Sequence, residues 1–265
     1  MSGTATDPIP RTRSHWLRLS AVPVLLVAIL SLDSKGFSHH YPHGQWLANL
    51  LTLVFFVWVL RSANPRLRRL MLIGVAVATL GEVSFALLIG RYEYRLQNVP
   101  LYVPPGHAIL YAAVFQLIRE PFVRRHARQV TQLCYALGAL FSLGWLLIYN
   151  DVYGCLCFGA FSALIFYKRE SRLFFVCMFL LVAYLEVVGT YLQCWSWPPF
   201  LLNKWPAIAS ANPPSGIAVF YIGFDIACLG FYKLSLPRLR RRYRRLQALR
   251  KARNDVGSAG LVTAV

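Results

Sequence analysis

Apolar positions gather into eight long stretches, at residues 16–32, 44–60, 70–90, 101–118, 130–150, 152–167, 173–192 and 215–232. Once their amphipathic ends are counted, these stretches approach the roughly 20 residues a helix needs to cross a bilayer. The pattern predicts an all-α polytopic membrane protein of about eight transmembrane helices. The fifth and sixth stretches are divided only by Asn150-Asp151. A continuous helix over both would be about 57 Å long, too long for one crossing. The first stretch ends in Asp33 without a small-residue cleavage site, so it reads as a retained helix and not a signal peptide.

Polar positions inside and between the stretches recur. Glu82 interrupts the third and is followed by Gly90-Arg91-Tyr92-Glu93-Tyr94 and then Pro104-Pro105. Glu186 interrupts the seventh and is followed by Trp195-Ser196-Trp197 and then Pro213-Pro214. Each half thus carries one intramembrane carboxyl, a hairpin-like aromatic loop and a Pro-Pro pair opening the next helix. The recurrence predicts an internal duplication, with a first four-helix unit at 16–118 and a second at 130–232. These are flanked by a cytoplasmic N-terminal segment, 1–15, and a basic cytoplasmic tail, 233–265. Four helices per unit is an even number, so both halves insert the same way round as a parallel repeat.

Composition agrees with this reading. Apolar residues make up 57% of the 265 and charged residues 14%, against roughly 45–50% and 25% in soluble domains. All of the 28 Lys and Arg except Lys35, Arg91, Arg95 and Lys204 fall on one side of an eight-helix topology. The positive-inside rule then places both termini in the cytoplasm, as for a multi-pass protein of a bacterial inner (plasma) membrane. The net charge of +18 is therefore mostly topological. The run Arg238 to Arg245 beside the last helix fits anionic membrane lipids and not nucleic acid. The six cysteines show no CxxC pair. Cys194 alone sits in an outer loop, without an evident partner.

A carboxylate at membrane depth is costly and usually functional. Either it is protonated or a partner supplies hydrogen bonds, and both conditions suit a general acid or base. Glu82 and Glu186 are accordingly the first catalytic candidates, with Thr79, Ser84 and Thr190 as the hydroxyls that would satisfy them in a purely structural role. Asp225 in the eighth stretch is a third carboxyl and falls opposite Gln116 in the duplication. His107 follows Pro104-Pro105-Gly106 at a helix start and either relays protons to Glu82 or faces headgroups. His39, His40 and His43 have a spacing that permits metal binding, but no acidic or cysteine partner accompanies them, so they read as a solvated loop. Neither a metal nor a cofactor is implied: P-loop, GxSxG and GxGxxG fingerprints and the histidine sets of membrane di-iron enzymes are absent.

The run Gly90-Arg-Tyr-Glu-Tyr with Val99-Pro100 and Pro104 downstream of Glu82, and the later Glu186 to Gly189, Trp195-Ser-Trp197 and Asn212-Pro213, resemble the carotenoid-biosynthesis membrane hydratase family. The resemblance implies addition of water across a terminal double bond of an acyclic polyene. The same parts would serve an isoprenoid cyclase. On that reading Glu82 or Asp225 is the acid, Glu186 and His107 belong to the same catalytic set, and Tyr92, Tyr94, Trp195 and Trp197 line the path of a hydrophobic lipid-like substrate. Gln116 and Asn212 are further substrate contacts. Two rivals stand beside it: a proton- or cation-coupled transporter that uses the same carboxyls, and a noncatalytic membrane assembly protein.

Overall fold

The computed structural model describes residues 13–236 and Arg241, with side chains from residue 21 onward. Most of segment 1–15 and of the basic tail lies outside the described residues. Helices form over each of the eight apolar stretches. In chain order they are α1 (Arg13–Leu32), the short α2 (Lys35–His40), α3 (Gly44–Ser62), α4 (Pro65–Glu82), α5 (Val103–Leu117), the short α6 (Pro121–Arg125), α7 (Ala127–Tyr149), α8 (Val152–Tyr167), α9 (Arg172–Tyr191) and α10 (Ala218–Ser235). Among the described residues five helical segments are long and apolar enough to cross a membrane: Gly44–Ser62, Pro65–Leu88, Ala127–Tyr149, Arg169–Tyr191 and Ala218–Ser235. The protein is thus a largely helical, multi-pass-compatible membrane protein.

Local chemistry sets the helix ends. Asn64 caps α4 by accepting from the Leu67 N–H at 2.9 Å, with Pro65 in the first turn where no N–H is needed. Pro104 and Pro105 occupy the first turn of α5 for the same reason. Asn150 closes α7 in the left-handed region, and Asp151 caps α8. The centre of the bundle is α9, where Phe175, Val176, Met178, Phe179 and Val182 are almost fully buried. By contrast α7 buries only Gly138 and Ser142 and exposes Leu133, Leu137, Leu140, Leu143 and Leu147. An outward leucine face of this kind is stable against acyl chains but not against water.

Two features depart from expectation. The third apolar stretch is not one regular helix: α4 ends at Glu82 and continues as a π-helix, Val83–Leu88. π-Helical turns are rare and concentrate at functional sites. The aromatic loops are also not two separate hairpins. Their strands β1 (Glu93–Tyr94) and β2 (Trp195–Ser196) pair with each other, antiparallel, with Glu93 opposite Ser196 and Tyr94 opposite Trp195. Only the second loop forms a hairpin of its own, from β3 (Phe200–Leu201) and β4 (Trp205–Ala209).

Buried carboxylates anchor this end of the bundle. Asp33, at the end of α1, accepts from Arg95 Nη2 at 2.6 Å and from Tyr102 Oη at 2.8 Å, while Arg95 Nε donates to the Asp33 carbonyl at 2.8 Å. Asp151 accepts three backbone N–H groups, from Gly154 (3.1 Å), Ala211 (3.0 Å) and Ser215 (2.7 Å). Both aromatic loops are therefore tied down at turns distant in sequence.

Candidate functional site

Each repeated glutamate sits in a cage of three donors supplied by its own loop and one further helix. Glu82 Oε2 accepts from the hydroxyls of Tyr92 and Tyr94, the latter at 2.7 Å, and His107 Nε2 donates to Oε1 at 2.9 Å. Glu186 Oε2 accepts from the indole N–H groups of Trp195 (2.9 Å) and Trp197 (3.1 Å), and Tyr221 donates to Oε1 at 2.7 Å. Both carboxyls are buried, at 2% and 3% exposure. Three donors compensate the desolvation that burial imposes on a charged carboxylate. Burial and the Glu82 charge push the Tyr92 and Tyr94 hydroxyls well above the ordinary tyrosine range, so both remain donors.

The hydroxyls expected to satisfy the carboxyls in a structural role do not reach them. Thr79, Ser84 and Thr190 each donate to the carbonyl four residues back, of Val75, Leu80 and Glu186 respectively. The x in Tyr-x-Tyr and Trp-x-Trp has a simple meaning: on a strand, alternate side chains share a face, so both rings of each pair point to one carboxyl. Gly90, at φ +66°, turns the chain out of the π-helix into the first loop. In the second half Gly189, one turn past Glu186, leaves space for the Trp195 ring, since a Cβ there would stand 2.1 Å from it.

The two cages touch. Tyr92 and Trp197 have ring centroids 4.6 Å apart, and Tyr94 and Trp195 6.1 Å. The His107 imidazole stacks on Tyr221 at 4.5 Å. The hydrogen-bond partner of one glutamate thus lies against the partner of the other. Both cages open on one cavity. Apart from Arg91 and Thr52, its remaining wall is apolar and aromatic, with Val22, Leu25, Leu26, Ile29 and Leu30 from α1 and with Phe85, Phe220 and Phe224.

Of the residues predicted from sequence, Glu82, Glu186, His107, Tyr92, Tyr94, Trp195 and Trp197 all line this cavity. Three others do not. The α10 wall ends at Phe224, whose ring stacks on Phe85 at 5.8 Å and meets His107 edge-on at 5.6 Å. Asp225, the next residue, does not line the cavity, and its enclosed Oδ2 has no hydrogen-bond partner. Gln116 lies six residues past Leu110, the last α5 residue on the cavity, which is about 9 Å along the helix. Asn212 supports the site from outside: its Oδ1 accepts from the Trp197 backbone N–H at 3.0 Å.

Sequence reasoning missed Tyr221 and Arg91 as site residues, because nothing local distinguishes a tyrosine near a helix start or an arginine in a loop. It also left Cys194 without a partner, although the buried thiol donates to the Leu30 carbonyl at 3.2 Å. His39, His40 and His43 are exposed around α2, and no His, Cys, Asp and Glu group able to hold a metal occurs among the described residues. In comparisons with family profiles, curated proteins and solved structures, nothing matches this chain.

Proposed function

We propose that this chain is an integral membrane enzyme in which Glu82 and Glu186 carry out acid–base chemistry at a carbon–carbon double bond of a hydrophobic, isoprenoid-like lipid, by hydration or cyclisation. The observation that carries this reading is the convergence of two donor-caged carboxyls on a single cavity whose other walls, Arg91 and Thr52 apart, are apolar and aromatic. Addition of water needs a proton delivered to one alkene carbon, stabilisation of the resulting cation, and removal of a proton from the attacking water. The hydrogen bond between Glu82 and His107, 2.9 Å long, offers a transferable proton. The ring faces of Trp195, Trp197 and Tyr92 suit a transient cation, and the second carboxylate suits the water. Cyclisation uses the same first proton and returns it from carbon.

The same reading takes the chain as eight membrane-spanning helices in a 4+4 parallel repeat, with both termini in the cytoplasm of a bacterial cell and the basic tail on anionic lipids. The antiparallel pairing of the Tyr-x-Tyr strand with the Trp-x-Trp strand, with Glu93 opposite Ser196, supports the repeat. Expression in a host that makes linear carotenoids and other acyclic isoprenoids tests the reaction. The wild-type chain should yield a hydrated or cyclised product. Glu82→Gln and Glu186→Gln should each lower its yield by about 100-fold or more, in line with the roughly 10²- to 10⁴-fold that one general acid or base contributes. Unchanged lipid profiles with the folded wild-type protein present would remove the hydratase and cyclase reading.

The π-helical turn immediately after Glu82 favours a second reading, proton- or cation-coupled transport, because an irregular turn beside a carboxyl is also how transporters open an ion site. Proteoliposomes separate the two. Proton- or cation-driven uptake that Glu82→Gln abolishes, without chemical conversion of any lipid, would select transport.

A further inference from the structure

We infer that the ligand of this cavity is an amphiphile whose head is an oxyanion, a carboxylate or a phosphate, and that Arg91 receives it. The inference rests on reading the cavity as a lipid-binding active site and names the substrate class of that site. Arg91 lines the cavity. Its guanidinium carbon lies 3.8 Å from the centroid of the Phe220 ring, 5.3 Å from Tyr153 and 5.6 Å from Phe85, so three aromatic rings surround the cation.

No carboxylate answers that charge. Among the described residues the ion pairs are Arg95 with Asp33 and His107 with Glu82, and Arg91 belongs to neither. Its Nε is enclosed without an acceptor. The contrast with Arg95 is instructive, because that neighbouring loop arginine is fully engaged by Asp33. Nor do the cavity's own glutamates serve, since each already accepts from three donors that are not Arg91. A guanidinium stays charged in a protein, and rings offset only part of the loss of water around it. An oxyanion on the ligand completes the site, and the guanidinium fork matches carboxylate and phosphate alike.

The remaining wall requires a hydrocarbon chain. On α1 the cavity residues run from Val22 to Leu30, a rise of about 12 Å, with spacing that keeps one apolar face turned inward. A free anion would leave that face empty. The cavity therefore fits an anionic head at Arg91 and an extended tail along α1, with the two carboxyls between loop and helix beside the chain.

Competition binding tests this on the full chain in nanodiscs of neutral lipid. Bromostearate quenches the cavity tryptophans, and unbrominated stearate, stearyl phosphate, stearyl alcohol and inorganic phosphate compete with it. Stearate or stearyl phosphate should displace the probe at concentrations at least tenfold below the alcohol, and their relative strength tells carboxylate from phosphate. Arg91→Gln should erase the preference for the charged head, and Arg91→Lys should retain part of it. Equal competition by acid and alcohol in the wild type would overturn the proposal even if Arg91→Gln fails to fold. So would a preference that survives in folded Arg91→Gln, and displacement by inorganic phosphate alone would overturn the amphiphile. The catalytic reading fails separately: a wild type that converts no lipid should still show the head-group preference.

Discussion

At the residue scale, the buried carboxyls of Asp33, Asp151, Glu82 and Glu186 are each supplied with several hydrogen-bond donors. Asp151 is the clearest case, fully enclosed and accepting three backbone N–H groups from two separate segments. Asp151→Ala would orphan all three, and since an unsatisfied buried group costs about 1–3 kcal/mol, a loss on the order of 3 kcal/mol is expected. Asp151→Asn should lose less, because one carbonyl oxygen remains to accept. Thermal unfolding of both variants in the same detergent measures the difference. Cys194 gives a second expectation. Burial and the nearby Asp33 charge push its thiol up to about 12, and its Sγ is occupied with the Leu30 carbonyl. Only the thiolate attacks maleimides, so at pH 7 to 9, well below that value, Cys194 should stay unlabelled in the folded protein. Mass spectrometry should find it labelled only after denaturation.

Among the elements, the aromatic strands and the glycines beside them decide the geometry of the site. Period-two alternation aims both rings of each strand at one glutamate, and the helix behind must be bare where a ring lies against it. Gly189 meets that need under Trp195, and Gly81 does so under Phe224. Gly189→Ala should therefore lift the Trp195 ring off α9 and break its bond to Glu186. Overpacking of this kind costs about 1–3 kcal/mol, and the loss of one donor should show as a red shift of tryptophan emission as the ring leaves its enclosed position. The change is local, so far-UV circular dichroism should stay as in the wild type. The π-helix after Glu82 belongs to the same scale. By departing from the regular ladder it lets the Arg91 N–H donate to the Phe85 carbonyl at 2.9 Å, and so starts the loop that returns Tyr92 to the carboxyl.

For the whole molecule, the organising contact is the β1–β2 pair, which joins a loop of the first half to a loop of the second. Glu93 and Ser196 are directly opposite and both exposed. In a background lacking the native cysteines, Glu93→Cys with Ser196→Cys should form a disulfide, since opposed antiparallel residues lie within bonding range. With a protease site placed in the connection between α6 and α7, the two fragments should then remain linked on a non-reducing gel and separate on reduction. Fragments that separate without reduction would refute the pairing.

The sequence by itself determined the apolar segments, the two glutamates, the aromatic pairs and His107, because each is written in hydropathy or in a repeated local spacing. It also indicated that Glu82 and Glu186 belong together, through the recurrence of their surroundings. Asp225 lies in α10 without lining the cavity, since depth in a helix says nothing about which residues reach a cavity wall. Tyr221 and Arg91 were hidden for the converse reason: their roles depend on which helix faces which, and that is settled by packing across about a hundred residues of chain. Tertiary structure alone decided that the two loops pair with each other, that Asp33 and Asp151 anchor them, and that one arginine faces the cavity without a carboxylate. These are long-range juxtapositions, and periodicity along a chain carries no record of them.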